Sequence, residues 1–198
     1  MARVWFIALV AAALSAHVAI ADDNDVKSKA RAIEQKSSIG QAREAWNDLR
    51  DLETLLWEKL PLGVSSALFV KKPATGYGLY EPRENNEFAK DEPMFVYLQP
   101  VGYGYERIEE LFRIALTADF ELRTKNGQVL AEQAGFSKLS LESLAPNREF
   151  QASFSFTFEG LDPGRYSLVI RLRDENGGQR SETALPFTIS KDSGSAAD

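Results

Sequence analysis

Leu161-Asp162-Pro163-Gly164-Arg165-Tyr166-Ser167-Leu168-Val169-Ile170-Arg171-Leu172-Arg173 is the stretch on which the fold turns. Pro163 and Gly164 make a turn. From Tyr166 onward, Tyr166, Leu168, Ile170 and Leu172 recur at every second position, the period of a strand with one buried face. Asn176-Gly177-Gly178 supplies the next turn, and 179–189 returns as a strand ending Leu185-Pro186-Phe187-Thr188-Ile189. Upstream, 150–158 alternates in the same way, with Phe150, Ala152, Phe154, Phe156 and Phe158 inward and Gln151, Ser153, Ser155 and Thr157 outward. In 113–124, Ile114, Leu116, Ala118, Phe120 and Leu122 face one way and Arg113, Asp119, Glu121 and Arg123 the other. Asn126-Gly127 reads as the two positive dihedrals of a tight hairpin. Then 129–133 returns, 136–144 is mixed, and 94–101 is one further apolar run. Short strands separated by turns, with no helix between them, predict an antiparallel sandwich over 94–190.

Asp162-Pro163-Gly164-Arg165-Tyr166-Ser167-Leu168 resembles the D-x-G-x-Y-x-C signature of immunoglobulin-like domains, with Leu168 in place of the cysteine. The resemblance implies that Tyr166 closes a corner by hydrogen-bonding back to the chain. It implies 150–158, 165–173 and 179–189 as strands E, F and G. The L-x-P-G-x-Y run with the Pro-Phe-Thr-Ile finish is similar to bacterial exported Ig-like or fibronectin-like modules, among them uncharacterised secreted proteins. No tryptophan follows Trp57, so the core tryptophan of antibody-type domains is missing.

The segment 22–60 predicts an amphipathic helix running over 25–60. Its apolar stripe is Ala42, Ala45, Trp46, Leu49, Leu52, Leu56 and Leu60, in steps of three and four. Pro61 ends it, and Ser37, Ser38 and Gly40 mark a weak point near its start. The stripe admits two roles, packing on its own molecule or docking on a partner. Residues 61–93 read as a connector, punctuated by Pro61, Gly63, Pro73, Gly76, Gly78, Pro82 and Pro93 and holding a short strand at 65–70.

The first residues read as an address. Arg3 supplies positive charge, 4–14 is apolar, and Ala19-Ile20-Ala21 precedes Asp22-Asp23. This pattern predicts a signal peptide, 1–21, cleaved after Ala21, and a periplasmic or secreted protein. The apolar run is shorter than the ~20 residues a membrane span needs, and no later stretch is long enough. Cleavage removes His17, the only histidine, and the chain has no cysteine. Ser-His-Asp and Cys-His catalysis and ordinary zinc or copper sites are thereby excluded. The net charge of −6 argues against nucleic acid, whose binding rests on clustered Lys and Arg. Residues 191–198 are small and polar and read as a disordered tail.

Four of the six tyrosines fall in two Gly-flanked segments, Gly76-Tyr77-Gly78-Leu79-Tyr80 and Gly102-Tyr103-Gly104-Tyr105, followed by Arg83 and Arg107. Tyrosine offers a flat apolar face with a polar tip, and arginine beside it is a common interface anchor. Tyr77, Tyr80, Arg83, Tyr103, Tyr105 and Arg107 therefore form the candidate binding set, a shared surface at one end of the sandwich. The competing role is sealing the connector against the sandwich. No catalytic residue, metal or cofactor is assigned. The expected function is a non-catalytic exported binding or scaffold module acting on an envelope protein or assembly. The alternatives are a carbohydrate-binding module using the same tyrosines and a carboxylate hydrolase using Glu106, Glu109 and Glu110. Oligomeric state stays open.

Overall fold

Residues 23–191 are described in a computed structural model. The expected signal peptide and cleavage site, and residues 192–198 of the expected tail, lie outside them. The described residues belong to two compact units, one ending at Leu55 and one beginning at Leu56.

In the first unit the single expected helix is two: α1 (Asp23–Ser38) and the start of α2 (Ala42–Lys59). The break has a local cause. Gly40 takes φ +79°, its N–H bonds the Ser37 carbonyl, and the Gln41 N–H bonds the Lys36 carbonyl. This paired closure ends a helix with glycine in the left-handed region, where a side chain is disfavoured. The helices then run antiparallel, tied by Lys29–Asp51 at 3.1 Å and Lys36–Asp48 at 2.6 Å. The predicted stripe divides. Ala45 is buried and Leu52 half-buried, whereas Trp46 and Leu49 stay exposed.

The second unit is mainly β: β1 (Gly63–Val70), β2 (Glu87–Phe88), β3 (Met94–Val101), β4 (Glu106–Ile108), β5 (Leu111–Thr124), β6 (Val129–Ser143), β7 (Ala152–Phe156), β8 (Gly164–Asp174) and β9 (Arg180–Ile189). One sheet has the order β1-β3-β7. In the other, β2, β9, β8 and β5 follow one another, β4 takes the start of β5, and β6 pairs along β5. All pairs are antiparallel except β2 with β9. Val96, Leu98, Ala152 and Phe154 from the first sheet share one core with Ile114, Leu116, Leu168, Ile170, Leu185 and Phe187 from the second. This is the two-layer solution that alternating strands require.

The sandwich starts earlier than expected. β1 and β2 come from the stretch read as a connector, and Phe88 closes the core edge-on against Phe69 at 5.0 Å. The short strand expected at 65–70 is most of β1; its first residues fall before the slip in the ladder between Val64 and Ser66. At the β5–β6 turn only Gly127 has positive φ, +85°. The Thr124 N–H bonds the Gln128 carbonyl and the Gly127 N–H bonds the Thr124 carbonyl. The loop is therefore one residue longer than the two-residue hairpin expected of Asn126-Gly127. The 129–133 and 136–144 segments are one strand, broken by extra residues at 134–136 opposite Asp119. Tyr166 does close a corner: its hydroxyl donates to the Asp162 carbonyl at 2.7 Å.

The outer face of the larger sheet carries a charge ladder. Arg171 bridges Glu121 and Glu182, Arg123 holds Glu121, and Arg173 holds Glu175. The Arg171 hydrogen bond, and then that from Arg123, lower the Glu121 carboxyl below its usual range. A carboxyl depressed in the folded state stabilises the fold above its unfolded pKa, about 4.5, and loses that contribution as pH falls through the folded value. Urea midpoints are expected to fall below pH 4.5, with a shallower acid slope in Glu121→Gln. Parallel slopes in the two proteins would remove Glu121 as the cause.

Candidate functional site

The two tyrosine segments occupy different depths. Following β3, Gly102 turns the chain and delivers Tyr103 into the core, where it is 1% exposed. Its ring meets Trp57 edge-on at 5.0 Å and Phe150 at 5.9 Å. Its hydroxyl donates to the Asn147 carbonyl at 2.9 Å, and the half-buried Tyr105 donates to the same oxygen at 2.8 Å. The Trp57 indole N–H returns to the Tyr103 carbonyl at 2.9 Å. Burial, then the neighbouring Tyr105 hydroxyl, push the Tyr103 phenol well above its usual pKa, so it stays a neutral donor.

A buried carboxylate locks the same turn. Asp174, fully buried, accepts from the Gly104 N–H at 2.7 Å and the Asn176 N–H at 3.0 Å. The Asn176 amide then donates to the carbonyls of Gly104 and Arg113, at 3.1 and 2.8 Å. Backbone N–H groups thus satisfy buried polar oxygens that would be costly in the interior if left unpaired. Tyr103 is a structural anchor, and its place in the binding set is corrected accordingly: a ring sealed from solvent cannot meet a partner. Tyr105 is half-buried, and its hydroxyl is committed to the same carbonyl.

The first segment lies at the surface, on the outer face of the smaller sheet. Val96 and Leu98 point into the core, so Tyr97 between them points out. The chain after β1 folds back over it. Lys71 N–H bonds the Glu81 carbonyl at 2.9 Å, and Thr75 N–H bonds the Leu79 carbonyl at 3.0 Å. The Tyr97 hydroxyl accepts the Gly78 N–H at 2.7 Å, and Tyr80 packs on the Tyr97 ring at 4.2 Å. Tyr80 therefore seals. At the tip, Tyr77 is 41% and Leu79 63% exposed. The ring contacts keep the two segments apart: Tyr80 packs on Tyr97, and Tyr103 packs on Tyr105, Trp57 and Phe150.

The arginines are committed locally. Arg83 pairs with Glu92 at 2.7 Å, donates to the Glu87 carbonyl at 2.7 Å and lies 4.1 Å over the Phe88 ring. Arg107 lies 4.5 Å over Phe112 and donates to the Glu109 carbonyl at 3.0 Å. They flank two different rings and do not join the tyrosine tip. Of the three glutamates weighed for hydrolysis, Glu106 is taken by Arg113 and Glu110 faces Arg107. Among the described residues, no group of three or more His, Cys, Asp or Glu is arranged to hold a metal. No helix there is long and apolar enough to cross a membrane.

Leu79 was not singled out in the sequence, and neither were the anchors Tyr97, Asn147 and Asp174. A signal for Tyr97 was present: 94–98 is apolar at odd and even positions alike, which means that both faces of β3 are covered.

No family model and no curated protein matches the chain. Solved structures similar to it include a PKD domain of a peptidase from a Thermoplasmatales archaeon (10% identity, TM-score 0.39, 67% of this chain and 98% of that one). A sporulation control protein from Bacillus subtilis matches at 11% identity and TM-score 0.33, over 67% of this chain and 51% of that one. A conjugative transposon lipoprotein from Bacteroides eggerthii matches at 11% identity and TM-score 0.30, over 64% and 96%. At these values the likeness carries nothing about activity.

Proposed function

We propose that the chain is an exported, non-catalytic immunoglobulin-like binding module that engages an envelope protein through the Tyr77–Leu79 tip. The observation that carries this reading is the contrast within one hairpin. Its backbone is pinned on Tyr97 by the Gly78 N–H and by the Tyr80 ring, while the Tyr77 and Leu79 side chains on either side of Gly78 remain exposed. An aromatic and an aliphatic side chain held in place before binding lose little conformational entropy on contact, which is what makes an effective interface anchor. The leader-like start of the sequence supports export to the periplasm or beyond. The paired stacking platform of the carbohydrate reading needs both loops, and only Tyr77 presents its ring.

Tyr77→Ala and Leu79→Ser are expected to keep the melting temperature of the parent, since neither residue is in the core. The same variants are expected to lose the protein captured by covalent cross-linking in the native envelope. Capture of the same partner by the parent and both variants would overturn the assignment of this tip. Protection of Tyr77 by a glycan, with no protein captured, would transfer the function to sugar binding.

A further inference from the structure

One side of β6 is hydrogen-bonded to β5 in unbroken register from Ser137 opposite Ala118 to Ser143 opposite Phe112. Its other side has no strand partner among the described residues. A free edge is a row of unpaired N–H and C=O groups, ready to template another strand. The irregularity at 134–136 interrupts that row. Gly135 takes φ +61° there, and its N–H turns back to the Asp119 carboxylate at 2.6 Å. The regular open edge is thereby confined to Ser137-Lys138-Leu139-Ser140-Leu141-Glu142-Ser143.

This segment is complementary to itself when reversed. Antiparallel pairing about Ser140 sets Lys138 opposite Glu142 of a second copy and Glu142 opposite its Lys138. It sets Leu139 against Leu141 twice, and serine against serine at the centre and both ends. We propose that two copies of the chain join along this edge of β6, about a two-fold axis at Ser140, merging their larger sheets.

The exposure pattern fits such a junction. Lys138, Ser140 and Glu142 are exposed on the outer face, while Leu139 and Leu141 are half-buried against the core. Joining two edges extends the apolar layer across the axis through the leucines and places both ion pairs on the solvent side. Neighbouring charges do not already absorb these two. Lys138 acts on Glu175 only as a minor electrostatic contribution. Across the ladder from Glu142 stands Arg113, which is bound to Glu106. A foreign strand has no reason to carry this charge order, whereas a reversed copy of the same strand carries it necessarily. The interface is isologous, so each charge pair counts twice.

The test is sedimentation of the purified protein from micromolar to millimolar concentration, with Lys138→Glu, Glu142→Lys and the double swap. Circular dichroism and melting temperature establish that each variant folds. The parent is expected to dimerise. Each single reversal creates two like-charge pairs and is expected to weaken the dimer by about tenfold or more, with the double swap restoring it. A monomer at every concentration overturns the proposal, as does a dimer indifferent to both single reversals. A monomer whose edge amides slow in hydrogen exchange only when envelope extract is added overturns it in favour of a foreign strand.

Discussion

Gly102→Ala is expected to destabilise the sandwich by about 3–5 kcal/mol, enough to unfold a marginal domain. Two effects combine. Gly102 has φ +72°, where an L-residue costs ~1–2 kcal/mol. A Cβ there would also lie 2.3 Å from the Pro61 carbonyl oxygen, 2.8 Å from its carbon and 2.9 Å from the Leu60 oxygen. These are backbone atoms that cannot rotate away. The segment carrying them is anchored in turn: Leu62 N–H bonds the Gln179 side chain at 2.7 Å, and Trp57, one helical turn before, is bonded to the Tyr103 carbonyl. Any shift that relieves the clash strains those bonds. Gly127→Ala is the control. It has φ +85° and open space, so only the dihedral cost of ~1–2 kcal/mol is expected. Urea unfolding followed by circular dichroism measures both. Equal losses in the two variants would show that the approach of Pro61 to Gly102 is not tight in solution.

Tyr103→Ala is expected to cost about 3–5 kcal/mol, the range for truncating a buried aromatic. The loss includes the edge-on contacts with Trp57 and Phe150 and the bond to the Asn147 carbonyl. Tyr103→Phe is expected to cost only about 0.5–1.5 kcal/mol. The ring stays, and Tyr105 still donates to the Asn147 oxygen. The same denaturation series with Tyr77→Ala should show no loss. Similar stabilities for Tyr103→Ala and Tyr77→Ala would contradict the burial of one and the exposure of the other.

Much of the sandwich was legible because strand burial writes a period of two into the chain. Met94 to Val101 is a strand over its full expected length, and the 113–124 and 165–173 readings differ from β5 and β8 by one or two residues at the ends. β1 was only partly legible because its ladder slips, and β2 was invisible because two residues carry no period. The candidate site was legible as composition and not as depth. Gly-Tyr-Gly appears in both segments, and nothing local tells Tyr77 from Tyr103. One lies at a hairpin tip and the other follows a strand into the core.

Local sequence is enough to set the alternation of the main strands, the corner at Tyr166, the helix stop before Pro61 and the weak point at Gly40 where the helix breaks. Each depends on dihedral preferences or hydrogen bonds within a few residues. Tertiary packing alone sets three other features: Tyr103 and Tyr105 share the Asn147 carbonyl, the buried Asp174 accepts from the distant Gly104 N–H, and β6 is left with an open side. Those outcomes depend on which strands become neighbours, a property of the whole chain's packing that no local window records.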